Sequence, residues 1–237
     1  MALPRLNDAP QYELVIPSSG KSVNYRPFLV KEQRNLLIAY ESQDRKQILN
    51  AMLNTIESCV SEELNLKKLT TFDVDYMFTQ IRSKSVGETS DIIIRCSECD
   101  HENEQHIKLD EIKVPIQERN MLIQVTPDLS VRMRYPNYDF FLKSQVLLSE
   151  DTSQSDMLLA LVVACLESVE MEDERIDLGD ESYEEILAFL ESLTTEQFDK
   201  IGAFTLNMPS MEHDIEFNCE QCNHHNTRKL KGLQDFF

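Results

Sequence analysis

Over the first sixty residues the spacing of apolar positions changes period. ELVIP and SVNYRPF carry β-branched and aromatic residues on either side of the turn SSGK, which predicts two short strands in a hairpin. From Lys31 the spacing lengthens to that of a helix, through Leu36, Leu37 and Tyr40 and then Ile48, Leu49, Met52, Leu53, Ile56 and Val60. This predicts two helices broken near Ser42 to Asp44, with Asp44 as an N-cap. FDVDYMFTQIRSKSVGE places Phe72, Tyr76, Ile81 and Val86 around a third helix that Gly87 is suited to end. DIIIRCSECDHENEQHIKLDEIKV then reads as strand, cysteine knuckle, strand.

Near Met121 the pattern starts again. MLIQV, the turn TPDLS and VRMRY predict a second hairpin, with Pro127 at the first central turn position. YDFFLKSQVLL and SDMLLALVVACLESV read as helices, the second apolar enough to be central to a core. Ser182 to Leu193 and Thr195 to Leu206 are further amphipathic helices, and DIEFNCEQCNHHNTRKLKGL closes as strand, knuckle, strand.

Residues as well as elements recur. SVxxR stands at Ser22, Val23, Arg26 and at Ser130, Val131, Arg134; an aliphatic residue precedes Glu-Ser at Ile56, Glu57, Ser58 and at Leu166, Glu167, Ser168. FDxxxxF stands at Phe72, Asp73, Phe78 and at Phe198, Asp199, Phe204. These three are individually weak. The fourth, DIxxxCxxCxHxN at Asp91 to Asn103 and Asp214 to Asn226, is strong because it repeats both cysteines and a histidine. The reading is a tandem duplication: an α+β protein of two related halves, each a β-hairpin, helices and a CxxC knuckle, packed about a pseudo-twofold with a zinc-ribbon-like joint. The first half spans residues 1–118 with its knuckle at 91–109, and the second 119–237 with its knuckle at 214–230.

Four of the six cysteines lie in the CxxC pairs Cys96 with Cys99 and Cys219 with Cys222. Each such turn aims two thiolates at one tetrahedral centre, and two turns complete a structural zinc site. The intervening chain exceeds ordinary ribbon spacing, and the duplication is what makes pairing the knuckles sensible. Iron accepts the same ligands. Other readings stay open: a separate metal in each knuckle, recruiting His101 or His106 in the first and His213, His224 or His225 in the second; a redox pair; disulfides or idle thiols. Cys59 and Cys165 fall on apolar helix faces, as small buried hydrophobes do.

Charge narrows the partners. The chain of 237 residues has a formal net charge of −19, carried as −4 in residues 1–120 and −15 in residues 121–237. Repulsion from phosphate argues against nucleic acid and anionic membrane as partners. The longest apolar run, Met157 to Leu166, is half of what spans a bilayer, and the N-terminus has no apolar signal region, so a soluble protein that stays where it is made is expected. Ten of the nineteen residues from Glu167 to Glu185 are acidic, opposed only by Arg175. A solvated acidic loop and helix entry, or a docking surface for a basic partner, are the two readings. No phosphate-binding glycine loop, nucleophile elbow or HExxH is present, so a binding or structural role is expected rather than an enzyme.

SGKSVNYRPFLVKEQRNLL with its following helix, FDVDYMFTQIRSKSVGE, and the knuckle CSECDHEN resemble the T4-type phage baseplate hub subunit family of contractile-tailed phages. RPFLVKE and IRxKSVGE are the specific strings. The match covers most of the first half and extends to Tyr135 and Pro136, while the second half follows in outline. The resemblance implies a non-enzymatic protein of the tail baseplate, acting in its hub or wedge, located in the virion and in host cytoplasm during assembly. Its implied partners are other baseplate and tail proteins, with multiple copies in the larger assembly. An assembly chaperone absent from the virion and a cellular zinc-ribbon adaptor are the competing classes. For Arg26, Pro27 and Phe28 a hairpin exit and a partner contact are both open. For Arg82, Lys84, Ser85, Val86 and Gly87 the choice is between a helix C-terminus with well-placed cations and an interface.

Overall fold

A computed structural model describes residues 9–116, 120–149, 152–172 and 174–236. The chain forms two compact units, residues 1–116 with 209–237 and residues 117–208. Both are mixtures of helices and small antiparallel sheets. Compactness therefore assigns the second knuckle to the same unit as the first. Among the described residues no helix is long and apolar enough to cross a membrane.

The first unit opens with the hairpin β1 (Tyr12–Val15) and β2 (Ser22–Tyr25), paired from Tyr12–Tyr25 to Val15–Ser22. Its turn needs a left-handed residue, and Gly20, with φ +66°, supplies it without a Cβ clash. α1 (Val30–Ser42) starts where the Glu32 carboxylate accepts the Leu29 N–H at 2.8 Å, and ends in left-handed Gln43. α2 (Arg45–Cys59) has the expected Asp44 cap, which accepts the Gln47 N–H at 3.0 Å. α3 (Thr71–Ser85) is capped by Thr70 and Asp73. Asp73 is fully buried yet satisfied: it accepts from Ser18 N at 2.8 Å and Thr70 Oγ1 at 2.6 Å, tying the first turn to the α3 N-terminus. α3 stops at Ser85 with its C-cap Val86 still in right-handed conformation; Gly87 follows the cap without the left-handed φ of a glycine cap, and β3 begins three residues after Val86.

β3 (Thr89–Arg95) and β4 (Glu102–Lys108) form one hairpin, β9 (Glu212–Asn218) and β10 (His225–Lys231) another. Ile107, Leu109, Ile112, Met211, Leu230 and Phe236 pack between and beneath them as one core cluster. Each such burial is worth about 1.5–3 kcal/mol over exposure. A bridge between Lys113 and Glu212, and a 2.6 Å bond from Ser90 Oγ to the Phe236 carbonyl, join chain segments far apart in sequence.

The second unit is a four-stranded antiparallel sheet in the order β5 (Leu122–Thr126), β6 (Leu129–Met133), β7 (Leu166–Met171), β8 (Glu174–Asp177). Its helices are α4 (Tyr138–Lys143), α5 (Gln145–Leu148), α6 (Gln154–Cys165), α7 (Tyr183–Glu191) and α8 (Thr195–Leu206). The core cluster gathers Val131, Met133, Val162, Cys165, Leu166, Ile201 and Phe204 among others.

Three expectations are corrected here. YDFFLKSQVLL is two helices, because Ser144 leaves helical geometry at ψ 109°. SDMLLALVVACLESV is not one helix: it leaves the helix after Cys165 and becomes β7, paired to β6 from Met133–Leu166 to Leu129–Met171. An unbroken apolar run carries no period to separate helix from buried strand. Most of the acidic segment is accordingly a hairpin rather than a loop. Arg132 Nε on β6 meets Glu170 at 2.8 Å, and within the hairpin Arg175 meets Glu167 at 2.9 Å.

Two of the weaker repeat matches also dissolve. Ile56 to Ser58 is helical and Leu166 to Ser168 is strand. Phe72 is the second residue of α3 whereas Phe198 is the fourth of α8; the N-capping Thr70 and Thr194 are the positions that correspond.

Candidate metal centre

Each knuckle is a six-residue turn closed by backbone hydrogen bonds at equivalent places. Cys96 N–H donates to the His101 carbonyl at 2.9 Å and Asp100 N–H to the Cys96 carbonyl at 3.1 Å. In the other turn Cys219 N–H donates to the His224 carbonyl at 2.9 Å and Asn223 N–H to the Cys219 carbonyl at 2.9 Å. Both turns need a left-handed residue after the second cysteine. Asp100 and Asn223, at φ 56° and 58°, are the non-glycine types that tolerate it best.

Two buried asparagines then lock the turns to each other. Asn226 Oδ1 accepts the Ser97 N–H at 2.9 Å, and Asn103 Oδ1 accepts the Glu220 N–H at 2.9 Å. Each amide also donates within its own knuckle, Asn103 to the His101 carbonyl at 2.8 Å and Asn226 to the His224 carbonyl at 3.0 Å. At 0% and 2% exposure these side chains have no recourse to water, so the exchange satisfies groups that would be costly to bury alone. The repeated motif contained both asparagines, but spacing could not reveal that each serves the opposite turn.

The four knuckle sulfurs come together, all within 4.8 Å of one another. Cys96 Sγ and Cys222 Sγ are 3.7 Å apart, Cys99 Sγ and Cys219 Sγ 3.6 Å. A disulfide holds its sulfurs at about 2.05 Å. A tetrahedron of thiolates about 2.3 Å from a zinc ion has edges of about 3.8 Å. The spacing is too long for a disulfide and could accommodate a metal ion, and all four cysteines are free. Cys96 and Cys219 are buried, Cys99 is half-buried and Cys222 exposed.

Electrostatics at the cluster are uneven. Burial raises the Cys96 thiol, but the N–H groups of Glu98 and Cys99, the Asn226 amide and the Cys222 thiol together pull it down to about 6. Cys219 is lowered in the same way, against burial, by the N–H groups of Cys222 and Gln221 and by neighbouring thiols. Backbone donation from His101 lowers Cys99, yet burial and three adjacent sulfurs leave it raised, to about 12. Cys222 is also raised, the N–H of His224 being outweighed by burial and by Cys219 and Cys96. The shifts oppose each other because the four sulfurs crowd one another, and a divalent cation held among them would favour the thiolate of each.

The remaining candidates fall elsewhere. His106 Nδ1 lies 2.6 Å from Asp91, which raises the imidazole pKa, and His225 Nδ1 lies 3.2 Å from Asn218. Among the described residues no histidine joins the cysteine cluster. Cys59 and Cys165 are buried in separate units, and burial pushes their thiols up to about 11 and about 12. Arg26 is engaged internally, with Glu32 at 3.1 Å and the Ser58 carbonyl at 2.8 Å. Lys84 pairs with Glu88 near the α3 C-terminus. The strings RPFLVKE and IRSKSVGE meet in space, where Phe28 N–H donates to Ser85 Oγ at 2.9 Å.

The family model for T4 bacteriophage base plate protein matches residues 9–237, and the chain belongs to that family. Comparison with curated proteins and with solved structures found no match.

Proposed function

We propose that the chain is a non-enzymatic structural or assembly component of a contractile phage tail baseplate, in its hub or wedge. It binds neighbouring baseplate proteins, present in multiple copies in the virion tail after assembly in the host cytoplasm. A structural zinc ion, held by Cys96, Cys99, Cys219 and Cys222, joins its two related halves. The observation that carries this reading is a closed set of four sulfurs contributed by segments about half the chain apart, in a member of a baseplate family. Four thiolates leave no coordination position for an activated water, so the ion serves folding rather than chemistry.

Supporting the related halves are backbone contacts that recur inside each. Arg26 N–H donates to the Cys59 carbonyl at 3.0 Å, and Arg134 N–H to the Cys165 carbonyl at 2.7 Å. The residues flanking these pair as well, Tyr25 with Val60 and Met133 with Leu166. The knuckle hydrogen bonds described above follow the same rule. A zinc-ribbon-like joint about a local pseudo-twofold is the arrangement they favour.

Elemental analysis with native mass spectrometry of the purified chain tests the site. One zinc per chain is expected; two metals would assign separate knuckle sites, and iron would replace zinc in the same shell. Mass spectrometry of purified particles tests the role, since an assembly chaperone would be required for tails yet missing from them.

A further inference from the structure

The sheet of the second unit has an apolar face. Leu129 pairs with Met171, Val131 with Val169 and Val169 with Ile176, and residues directly opposite in a ladder point to the same side. The middle of that face is buried, Val131 at 0% and Val169 at 6% exposure, whereas Met171, beside the β7–β8 turn, is 36% exposed. There Leu129, Met171 and Ile176, with Ile186 and Phe189 of α7, line an open groove of about 380 Å³. An apolar sheet face is stable against a second apolar layer, so a groove left between the sheet and α7 has room for one more element.

Charge around the groove says what that element carries. Among the described residues of the lining, the charged ones are Glu181 and Glu185. Glu185 is taken up by the α7 N-terminus, where it accepts from Ser182 N at 3.1 Å and Ser182 Oγ at 2.8 Å. Glu181 lies within reach of Glu185, so like charges adjoin. Glu174 stands directly opposite Met171 and therefore on the face of the groove. The nearby cations are already committed, Arg132 to Glu170 at 2.8 Å and Arg175 to Glu167 at 2.9 Å. Among the described residues Glu174, Asp180, Glu181 and Glu184 enter no ion pair. An apolar groove bordered by uncompensated carboxylates complements an apolar segment flanked by cations, and repels an acidic one.

We propose that this groove receives an amphipathic segment of a neighbouring protein, whose apolar side chains fill it and whose flanking Lys or Arg meet Glu174, Glu181 and the carboxylates beside them. The proposal rests on the reading that the chain works by binding neighbours, and adds where and by what chemistry.

The test uses the purified full chain and three fluorescent synthetic peptides. One has leucines along one face with lysines on either side; in the second the lysines are glutamates, and in the third the leucines are serines. The leucine–lysine peptide is expected to bind, about tenfold more weakly to Met171→Gln and to Glu181→Lys, while the leucine–glutamate peptide prefers Glu181→Lys to the native chain. Met171 is partly in solvent and Glu181 precedes the Ser182 cap of α7, so neither substitution enters the core. Glu63→Lys, the same charge change at an exposed position of the first unit, is the control. Equal binding of the leucine–lysine and serine–lysine peptides overturns the proposal, because charge alone then suffices. Equal weakening by Glu63→Lys, or binding indifferent to Met171→Gln, overturns it as well. Self-association that Met171→Gln abolishes makes the occupant a second copy, and stronger peptide binding after removal of residues 1–8 makes it this chain's own N-terminal segment; either overturns the proposal.

Uptake into purified tails separates the two readings. Tails that contain the native chain and exclude Glu181→Lys support the groove. Equal uptake of both overturns the groove and leaves the baseplate reading standing. Tails that assemble normally without any of this chain overturn the baseplate reading, and the peptide measurements then decide the groove alone.

Discussion

The hairpins β3–β4 and β9–β10 are built alike, whereas the segments that precede them diverge. Both hairpins have seven-residue strands, a CxxC turn, a left-handed Asp or Asn and a buried asparagine directed at the other turn. Even a cross-strand charge pair keeps its register, Asp91 with His106 and Asp214 with Lys229. Upstream, Val60 makes a single bridge to Tyr25, while its counterpart Leu166 begins a six-residue strand and an acidic hairpin. α1 is one helix with apolar side chains in solvent; α4 and α5 are two short ones. Where backbone donors, amides and sulfurs are all engaged with one another, few substitutions are tolerated. Surfaces outside that network are free to take on different contacts.

The largest effect should come from breaking the likeness at the four cysteines proposed as metal ligands. Cys96→Ser and Cys222→Ser are each expected to lose bound metal and several kcal/mol of stability, to similar extents, as for loss of a structural metal. Cys59→Ser should leave metal content unchanged; equal metal loss in all three would remove the ligand assignment. Chemical denaturation with metal quantification checks this.

Next come the reciprocal asparagines. Asn103→Ala removes the acceptor of the Glu220 N–H and Asn226→Ala that of the Ser97 N–H, each at a cost of about 0.5–1.5 kcal/mol. Asn226 also accepts from Ser97 Oγ at 3.0 Å and donates to Cys96 Sγ at 3.5 Å, against one further contact of Asn103, to the Ile94 carbonyl at 3.4 Å, so its loss should be the larger. Equal melting temperatures for the two variants would mean that these extra contacts of Asn226 carry no weight.

A pH measurement sharpens the contrast between the segments upstream. Burial raises Glu32, but the Leu29 N–H, Arg26 and Lys31 outweigh it, so its pKa is lowered on folding. Its stabilisation is thus present above the ordinary glutamate pKa and fades as pH falls through the lower folded value. Glu32→Gln should cost about 1–2 kcal/mol near neutrality and flatten the acid limb of the stability curve. An acid limb unchanged by the substitution would place the titrating group elsewhere.

The smallest effect belongs to the acidic hairpin. Arg132–Glu170 is partly solvated, and Glu170→Gln is expected to cost no more than about 1 kcal/mol. A larger loss in thermal melting would show that β7 depends on this pair rather than on its buried aliphatic side chains.

Much of this was legible locally. Asp44 and the start of α8 at Thr195 stood where the sequence pattern put a helix entry, because a cap acts on donors only two or three residues away. The CxxC turns and the strands beside them were legible for the same reason. The fate of Leu166 to Met171 was not, since an apolar run of that length fits a helix as well as it fits the free edge of β6.

Short-range structures are thus written into the chain: hairpin turns, helix entries and two thiol-bearing knuckles, each specified by groups a few residues apart. Only the tertiary structure decided that the knuckles meet, that Asn103 and Asn226 serve each other's turns, and that α7 and its sheet enclose a groove. Those outcomes depend on groups between about 40 and 130 residues apart, whose encounter is set by burial of the whole core rather than by any local preference.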